Sequence, residues 1–345
     1  MNKPAKPPLH RDVEAFLRTG MELATSDRGE LALSLAAKAL AEVPGDPRMA
    51  AFGRLVSSHQ VPKFHHGMLR DTQRNQLYRK AIERLAPGRK VLDIGTGSGL
   101  LAMIAARAGA EKVIACELNP MLAATAREIV AANGLSEKIT VIGRHSGMLD
   151  RNGDLDGGAD LVISEIFSDD LLGESVLPAL KHARQELCAP GAIFIPDSAE
   201  ILVAAVEFSG SSMALGEVEG FDLSLFERHL GPVRTFNPAS ANIALSSDPR
   251  TLFRFDFNAA DYPALSRENE IDLGIPTAAT NGLAQWIRFT LAEGIVYENR
   301  PGSARATHWP VRFTPLGPHT NPIRNDLRIG GWHNAEKLAI WPLID

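Results

Sequence analysis

Short apolar segments alternate with helical ones from Lys90 to Phe208, and this pattern limits the fold more than anything else in the chain. "KVLDIG" reads as a strand and "GLLAMIAARAG" as a helix. "KVIACE" and "KITVIG" are strands separated by the helical "PMLAATAREIVAANG", and "ADLVISE" is another strand. "SVLPALKHARQELCAPG" then reads as a helix, followed by "AIFIPDSAEILVAAVE". Strands that are apolar throughout are buried on both faces, and their alternation with helices marks an α/β fold with a parallel, doubly wound sheet. After about Phe208 the texture changes. "TLFRFDF" and "LAQWIRFTLAEGIVYE" suggest antiparallel strands, so a second, β-rich domain is expected there.

Upstream, "VEAFLRTGMELATSD" and "GELALSLAAKALAEV" read as two short helices closed by Pro44. Small residues at Ala15, Gly20, Ala32 and Ala39 give the pair the look of one tetratricopeptide unit. One such unit cannot bury its own face, so it should pack on the next domain or on a partner chain. A further helix is expected from Met68 to Leu85. The expected division is a disordered tail at 1–12, a helical segment at 13–61, an α/β domain at 62–208 and a β-rich domain at 209–345.

A chain of 345 residues can hold two cores. Its net charge of −5 offers no basic field for non-specific nucleic-acid binding. No uncharged stretch reaches membrane-span length, the start "MNKPAKPPLH" has no apolar signal core, and Cys116 and Cys188 make no disulfide framework. A cytoplasmic protein without membrane attachment is expected.

Chemistry concentrates at the strand ends. "VLDIGTGSG" puts Asp93, Gly95, Gly97 and Gly99 directly after a strand, where glycines let the backbone turn tightly and approach a ligand. Dinucleotide-binding proteins use a similar device, but the spacing here is G-x-G-x-G, and Asp93 would repel a pyrophosphate. A carboxylate there suits a cationic ligand such as the sulfonium or amino group of S-adenosylmethionine. Glu117 ends the next strand, where an acid can hold two ribose hydroxyls. "SEIFSDDLLGE" then places Glu165, Asp169, Asp170 and Glu174 around a loop that also carries Ile166, Phe167, Leu171 and Leu172. On residue type alone this is either a solvated acidic turn or a pocket for a cation.

Four stretches give a resemblance. "HHGMLRDTQRNQLYRKAI" (65–82), "SEIFSDDLLGE", "EGFDLSLF" (219–226) and "THWP" (307–310) occur in the order in which similar segments occur in protein arginine N-methyltransferases. These are class I S-adenosylmethionine-dependent enzymes, and the resemblance runs from about residue 62 to 316. It implies a Rossmann-like methyltransferase domain followed by a barrel-like β domain, S-adenosylmethionine as cofactor, no metal, a basic arginine-containing protein or peptide as substrate, and a homodimer. It also implies roles. Glu165 and Glu174 grip the substrate guanidinium, and the loop's apolar residues keep that pair dry. His65, Met68 and Arg74 match cofactor-lining positions, Arg74 that of the methionyl carboxylate. Asp71 and His308 match an acid–imidazole pair, and Trp309 a wall of the arginine pocket. Ser146 and Gly147 fall at the adenine, where the family often has a glutamate at the second position. Asp169 and Asp170 match no part of the grip. Gly173 stands where asymmetric dimethylating members carry a bulky aromatic, so the pattern is nearest to the monomethylating and the tetratricopeptide-bearing members. A methyltransferase for a small amine or another protein nitrogen, and a weakly active cofactor-binding scaffold, are the alternatives.

Overall fold

The computed structural model describes residues 12–26, 28–42, 45–60, 64–209, 216–223, 225–226, 234–240, 242–259, 262–277, 279–304, 307–316 and 326–343. The expected tail, apart from Asp12, lies outside these residues, as do Pro44 and Leu230. Two compact units emerge, each built from three stretches: 1–67, 82–165 and 186–192 in the first, and 68–81, 166–185 and 193–345 in the second.

The first unit opens with three helices, α1 (Val13–Ala24), α2 (Gly29–Glu42) and α3 (Pro47–Gln60). Asp12 starts α1 by accepting the Ala15 N–H on its carboxylate at 3.1 Å. Phe16, Ala32, Leu33, Ala36, Ala39 and Met49 form a closed apolar cluster. The third helix is beyond the expected pair, and Gly53 explains how it fits: a Cβ there would stand 2.8 Å from Leu40 Cδ1. The apolar face of the bundle does find cover, because α2 packs on a helix of the α/β layer, α7 (below).

That layer is a five-stranded sheet. Its elements are α4 (Phe64–Arg70), α5 (Thr72–Leu85), β1 (Lys90–Ile94), α6 (Leu100–Arg107), β2 (Lys112–Cys116), α7 (Pro120–Ala132), β3 (Ile139–Ile142), β4 (Ala159–Ser164), α8 (Val176–His182) and β5 (Cys188–Ile195). Strand order is β3-β2-β1-β4-β5, with β1 parallel to β2 and β4, and β2 parallel to β3. The chain runs outward from β1 to β3, then returns to the other side of β1. This places a topological switch point between β1 and β4, where α/β sheets bind ligands at the carboxyl ends of their strands.

Two local expectations are corrected. The helix read from Met68 to Leu85 is two helices, because Asp71 caps α5 with its side chain and separates it from α4. The helix read through Gly191 ends early: α8 passes into a π-turn at Ala183–Leu187, and Cys188 begins β5. β5 is an edge strand, which is where a residue such as Pro190 is tolerated.

The second unit carries β6 (Ser198–Phe208), β7 (Glu217–Val218), β8 (Phe221–Asp222), β9 (Arg234–Phe236), β10 (Ile243–Leu245), β11 (Arg250–Asp256), β12 (Arg267–Asp272), β13 (Gly282–Ala292), β14 (Ile295–Glu298), β15 (Val311–Pro315), β16 (Arg328–His333) and β17 (Leu338–Pro342). The main sheet runs β10-β6-β13-β15-β9, with β11 paired to β6 and β14 to β13. β6 pairs antiparallel with β10, β11 and β13, so the β-rich sheet begins near Ser198, ten residues before the boundary read at 208. Trp286, Val311 and Phe313 lie in its core. β12, β16 and β17 form a separate sheet.

Candidate active site

In the first unit the glycine turn, Glu117 and Glu165 gather at the switch point. Gly95, Gly97 and Gly99 have φ of 73°, 53° and 81°, a left-handed run that side chains with a Cβ resist. Asp93 is buried and holds this turn rather than facing outward alone: its Oδ2 accepts from Thr96 Oγ1 at 2.6 Å and from the Ala102 N–H at 3.1 Å. Glu117 is 9% exposed, and its carboxylate accepts the Gly97 N–H at 3.0 Å and the Asn119 N–H at 2.8 Å. Backbone donors thus fix the acid that ends β2 against the glycine turn. Ile94 and Ser164 are register partners, so Gly95 and Glu165 leave neighbouring strands at the same level. His65 joins them. Burial lowers its pKa, against the smaller opposing pull of the carboxylates of Glu117 and Glu165, which keeps the imidazole neutral near pH 7. Ser146 is buried in the short turn after β3, while Gly147 is exposed and donates its N–H to His145 Nδ1 at 3.0 Å.

In the second unit Asp71 is a node. Its Oδ1 accepts the Arg74 N–H at 2.9 Å. Its Oδ2 accepts the Tyr297 hydroxyl at 3.1 Å and the His308 N–H at 3.2 Å, and lies 3.1 Å from His308 Nδ1. The expected acid–imidazole pair is therefore assembled. Burial by itself would raise the Asp71 carboxyl, but the hydrogen bonds from His308 and from the Arg74 and His308 amides outweigh it and hold the pKa below the usual carboxylate range. Arg74 is 2% exposed, and its guanidinium lies 5.0 Å from the Tyr78 ring centroid. Met68 is half-buried at the end of α4, and its carbonyl accepts the Asp71 N–H. Trp309 is buried among Phe289, Tyr297 and His308. Its Nε1 donates to the Phe167 carbonyl at 2.9 Å, inside the acidic loop.

That loop is held hard. Phe167, Leu171 and Leu172 are buried, as the sequence pattern requires of a loop that packs rather than floats. Leu171 has φ of 76° and Ser175 of 55°, conformations unusual for residues with a Cβ and costing on the order of 1–3 kcal/mol each. Ser168 Oγ donates to Asp170 Oδ1 at 2.5 Å and accepts the Gly173 N–H at 2.6 Å. A Cβ at Gly173 would fall 2.7 Å from Ser168 Oγ. Gly173→Ala should therefore displace this knot and cost about 1–3 kcal/mol of loop strain, roughly a tenfold loss of turnover. Adding Ser168→Gly, which removes the obstructing atoms, should return part of it in steady-state assays. If the double variant is slower still, space is not the reason for the glycine.

Sequence reading missed Tyr297 and Arg312. Tyr297 sits in a strand with no motif around it. Arg312 lies three residues beyond Trp309, on the less buried face of β15, and its guanidinium reaches Asp169 Oδ1 at 3.0 Å and Asp170 Oδ2 at 3.7 Å. The acidic stretch is also less bare than its composition suggests. Asp154 pairs with Arg144 and Asp156 with Lys90, besides the two aspartates on Arg312.

Comparison with known proteins places this arrangement. The profile of the ribosomal protein L11 methyltransferase (PrmA) family matches residues 76–195, the glycine-turn sheet and its flanks. An "Arginine N(omega)-methyltransferase" of Streptomyces achromogenes subsp. streptozoticus is 38% identical over 273 residues, covering 76% of this chain and 73% of that one. The chain belongs to the arginine N-methyltransferase family. Other arginine methyltransferases match it over less of their length. "Protein arginine N-methyltransferase 7" of Oryza sativa subsp. japonica is 33% identical over 79% of this chain but 40% of its own. The Aedes aegypti protein of the same name is 40% identical over 41% of this chain and 22% of its own. The arginine methyltransferase fold is shared in turn by the "Trypanosoma brucei PRMT1 enzyme-prozyme heterotetrameric complex with AdoHcy", at TM-score 0.67 and 28% identity, covering 81% of this chain and 91% of that one. Arabidopsis thaliana protein arginine methyltransferase 10 matches at TM-score 0.63 and 21% identity, over 83% and 96% of the two chains.

Proposed function

We propose that this protein transfers a methyl group from S-adenosylmethionine to a terminal guanidinium nitrogen of arginine. The observation that carries the reading is the placement of Glu165 beside the glycine turn at the switch point, in a chain whose relatives are arginine methyltransferases. The residues present fit the cofactor. Glycines with positive φ lie beside a buried Glu117, whose carboxylate suits ribose hydroxyls, and Arg74 is a buried cation suited to a carboxylate. Leu118, just after β2, and Met148, in the short turn after β3, are 52% and 66% exposed and add apolar surface suited to a purine beside Ser146 and Gly147. His65 and Met68 match the family's cofactor-lining positions. Bound there, S-adenosylmethionine supplies an electrophilic sulfonium methyl.

A guanidinium keeps its proton at neutral pH, and its lone pairs are delocalised into the cation. Glu165 and Glu174 accept hydrogen bonds from it and draw positive charge toward the side they hold. The nitrogen presented to the methyl then has more lone-pair character. Positioning and electrostatics supply most of the gain, without a covalent intermediate. In this reading the Asp71–His308 pair accepts the proton that the methylated nitrogen releases, and Trp309 walls the pocket, as their match to the family pattern implies.

The substrate is an arginine in a basic, flexible protein or peptide segment. Asp154, Asp156, Asp169 and Asp170 are already paired with Arg144, Lys90 and Arg312, so Glu165 and Glu174 carry most of the attraction for a basic segment. A second reading, free arginine, is favoured by the name of the Streptomyces relative, which specifies arginine and not protein arginine. Comparing kcat/KM for an arginine-containing peptide with that for free arginine tests the choice. A peptide advantage of tenfold or more supports the first reading, and a clear preference for free arginine replaces it with the second.

A cytoplasmic site of action is supported by the free, buried Cys116 and Cys188, and among the described residues no helix is long and apolar enough to cross a membrane. The tetratricopeptide-like reading of the N-terminal helices rests on their small-residue spacing and their packing on α7. A homodimer is supported by Phe221, Leu223, Leu225 and Phe226, which are 41–71% exposed within one short segment. Light scattering should give twice the 37.3 kDa chain mass at micromolar concentration. A monomer with full activity contradicts it.

A further inference from the structure

We infer that Arg312 is a positioning residue for the proposed reaction, clamping the acidic loop through Asp169 and Asp170 so that the glutamates at its two ends are held for substrate. The inference rests on the reading that Glu165 and Glu174 grip the guanidinium. Four observations support the clamp. The loop contains two residues at positive φ, Leu171 and Ser175, so its conformation is not the one the backbone adopts unaided. Its inner knot is short-range: Ser168 Oγ joins Asp170 Oδ1 to the Gly173 N–H, Asp170 Oδ1 also accepts the Leu172 N–H, and the Ser168 carbonyl accepts the Leu171 N–H. Two longer tethers tie the loop to the "THW" motif and the strand that follows it. One is neutral, from Trp309 Nε1 to the Phe167 carbonyl. The other is ionic, from Arg312 to both aspartates, and all three side chains are only 14–26% exposed.

The second tether has a chemical reason. Four carboxylates lie within ten residues of one loop, and like charges repel one another out of a fixed geometry. A resident guanidinium neutralises the two that are not needed for substrate and orients the loop between them. Asp170 does both jobs at once, because its Oδ1 accepts from Ser168 and the Leu172 N–H while its Oδ2 faces Arg312. Asp169 and Asp170 are thus not neutral bystanders of the grip, as their mismatch to the family pattern implies, but its support. Both carboxylates are met by one nitrogen, Arg312 Nη1, so a lysine ammonium can replace part of the attraction but not the planar group's orientation.

The test uses the full chain with Arg312→Gln, Arg312→Lys, the pair Asp169→Asn/Asp170→Asn, and the triple variant. Measured quantities are kcat and KM with an arginine peptide, the cofactor Kd, and the thermal midpoint. Arg312→Gln should lower kcat by about 10–100-fold, the range for losing charge-assisted hydrogen bonds. Cofactor Kd should stay within about twofold, and Arg312→Lys should recover part of the loss. The triple variant should be no slower than the slower of its parents, because both parents remove the same interaction. Wild-type turnover in Arg312→Gln overturns the clamp, as do losses that multiply in the triple variant. A fall in thermal midpoint and cofactor affinity in step with kcat also overturns it, by making the role one of general stability. Glu165→Gln and Glu174→Gln are run alongside. If these two keep full turnover the grip itself has failed, and the clamp with it; if they are inactive while Arg312→Gln is not, only the clamp has failed.

Discussion

Glu165→Gln or Glu174→Gln should lower turnover by about 10²–10³-fold, the scale set by removing one electrostatic stabiliser from an active site. Glutamine keeps the shape and still accepts one hydrogen bond, but it cannot neutralise or polarise a cation. Cofactor affinity should barely move in either variant. Glu117→Gln should do the reverse. Its two carboxylate oxygens accept the Gly97 and Asn119 amides, so the glutamine keeps one of these bonds, turns a donor toward the other N–H, and binds ribose hydroxyls less well. Turnover at saturating cofactor should then fall little, while Kd rises. Rapid-quench turnover and calorimetric Kd for the three variants separate the two sites. If the loop variants lose cofactor instead of turnover, the roles assigned to β2 and to the acidic loop are wrong.

Asp71→Ala should be the most destabilising single change in the site. It removes the cap of α5 and the carboxylate that accepts the Tyr297 hydroxyl and the His308 N–H. A lost cap and each lost hydrogen bond cost about 1 kcal/mol, so a total of about 3 kcal/mol is expected. The pH dependence has a definite sign. The Asp71 pKa is lowered in the folded chain, so its contribution is fully present above the unfolded carboxylate value, about 4, and is lost as pH falls through the folded pKa. Asp71→Asn keeps the cap but cannot ionise, and it turns a donor toward the His308 N–H. Urea denaturation at pH 7 should show Asn intermediate between wild type and Ala. Between about pH 4 and pH 2 wild type should lose its advantage over Asn. A constant gap across that range would mean that Asp71 is not ionised where it sits.

How much of this was legible in the sequence depends on how local the signal was. β1, β2 and β4 are buried along nearly their whole length, so they announce themselves as apolar runs, and the glycine turn after β1 is a contiguous motif. Glu117 and Glu165 could be placed because strand ends in such a sheet share an edge. The break at Asp71 was hidden because an aspartate inside a helical pattern is ordinary; only the Arg74 amide at its carboxylate shows that the helix restarts there. β6 was assigned to the wrong sheet because an apolar strand reads alike on either side of a domain boundary, and only its pairing with β13 decides. Tyr297 and Arg312 meet their partners 226 and 143 residues away, and nothing in their own neighbourhood indicates it.

The account stands most directly on which atom receives the methyl group. The chain incubated with S-adenosylmethionine labelled on its methyl and an arginine-containing peptide should yield ω-N-methylarginine on hydrolysis and mass spectrometry, with Glu165→Gln giving less than about one hundredth of the product. Label found on lysine, on a terminal amine or on no residue at all, or an undiminished yield from Glu165→Gln, would contradict it.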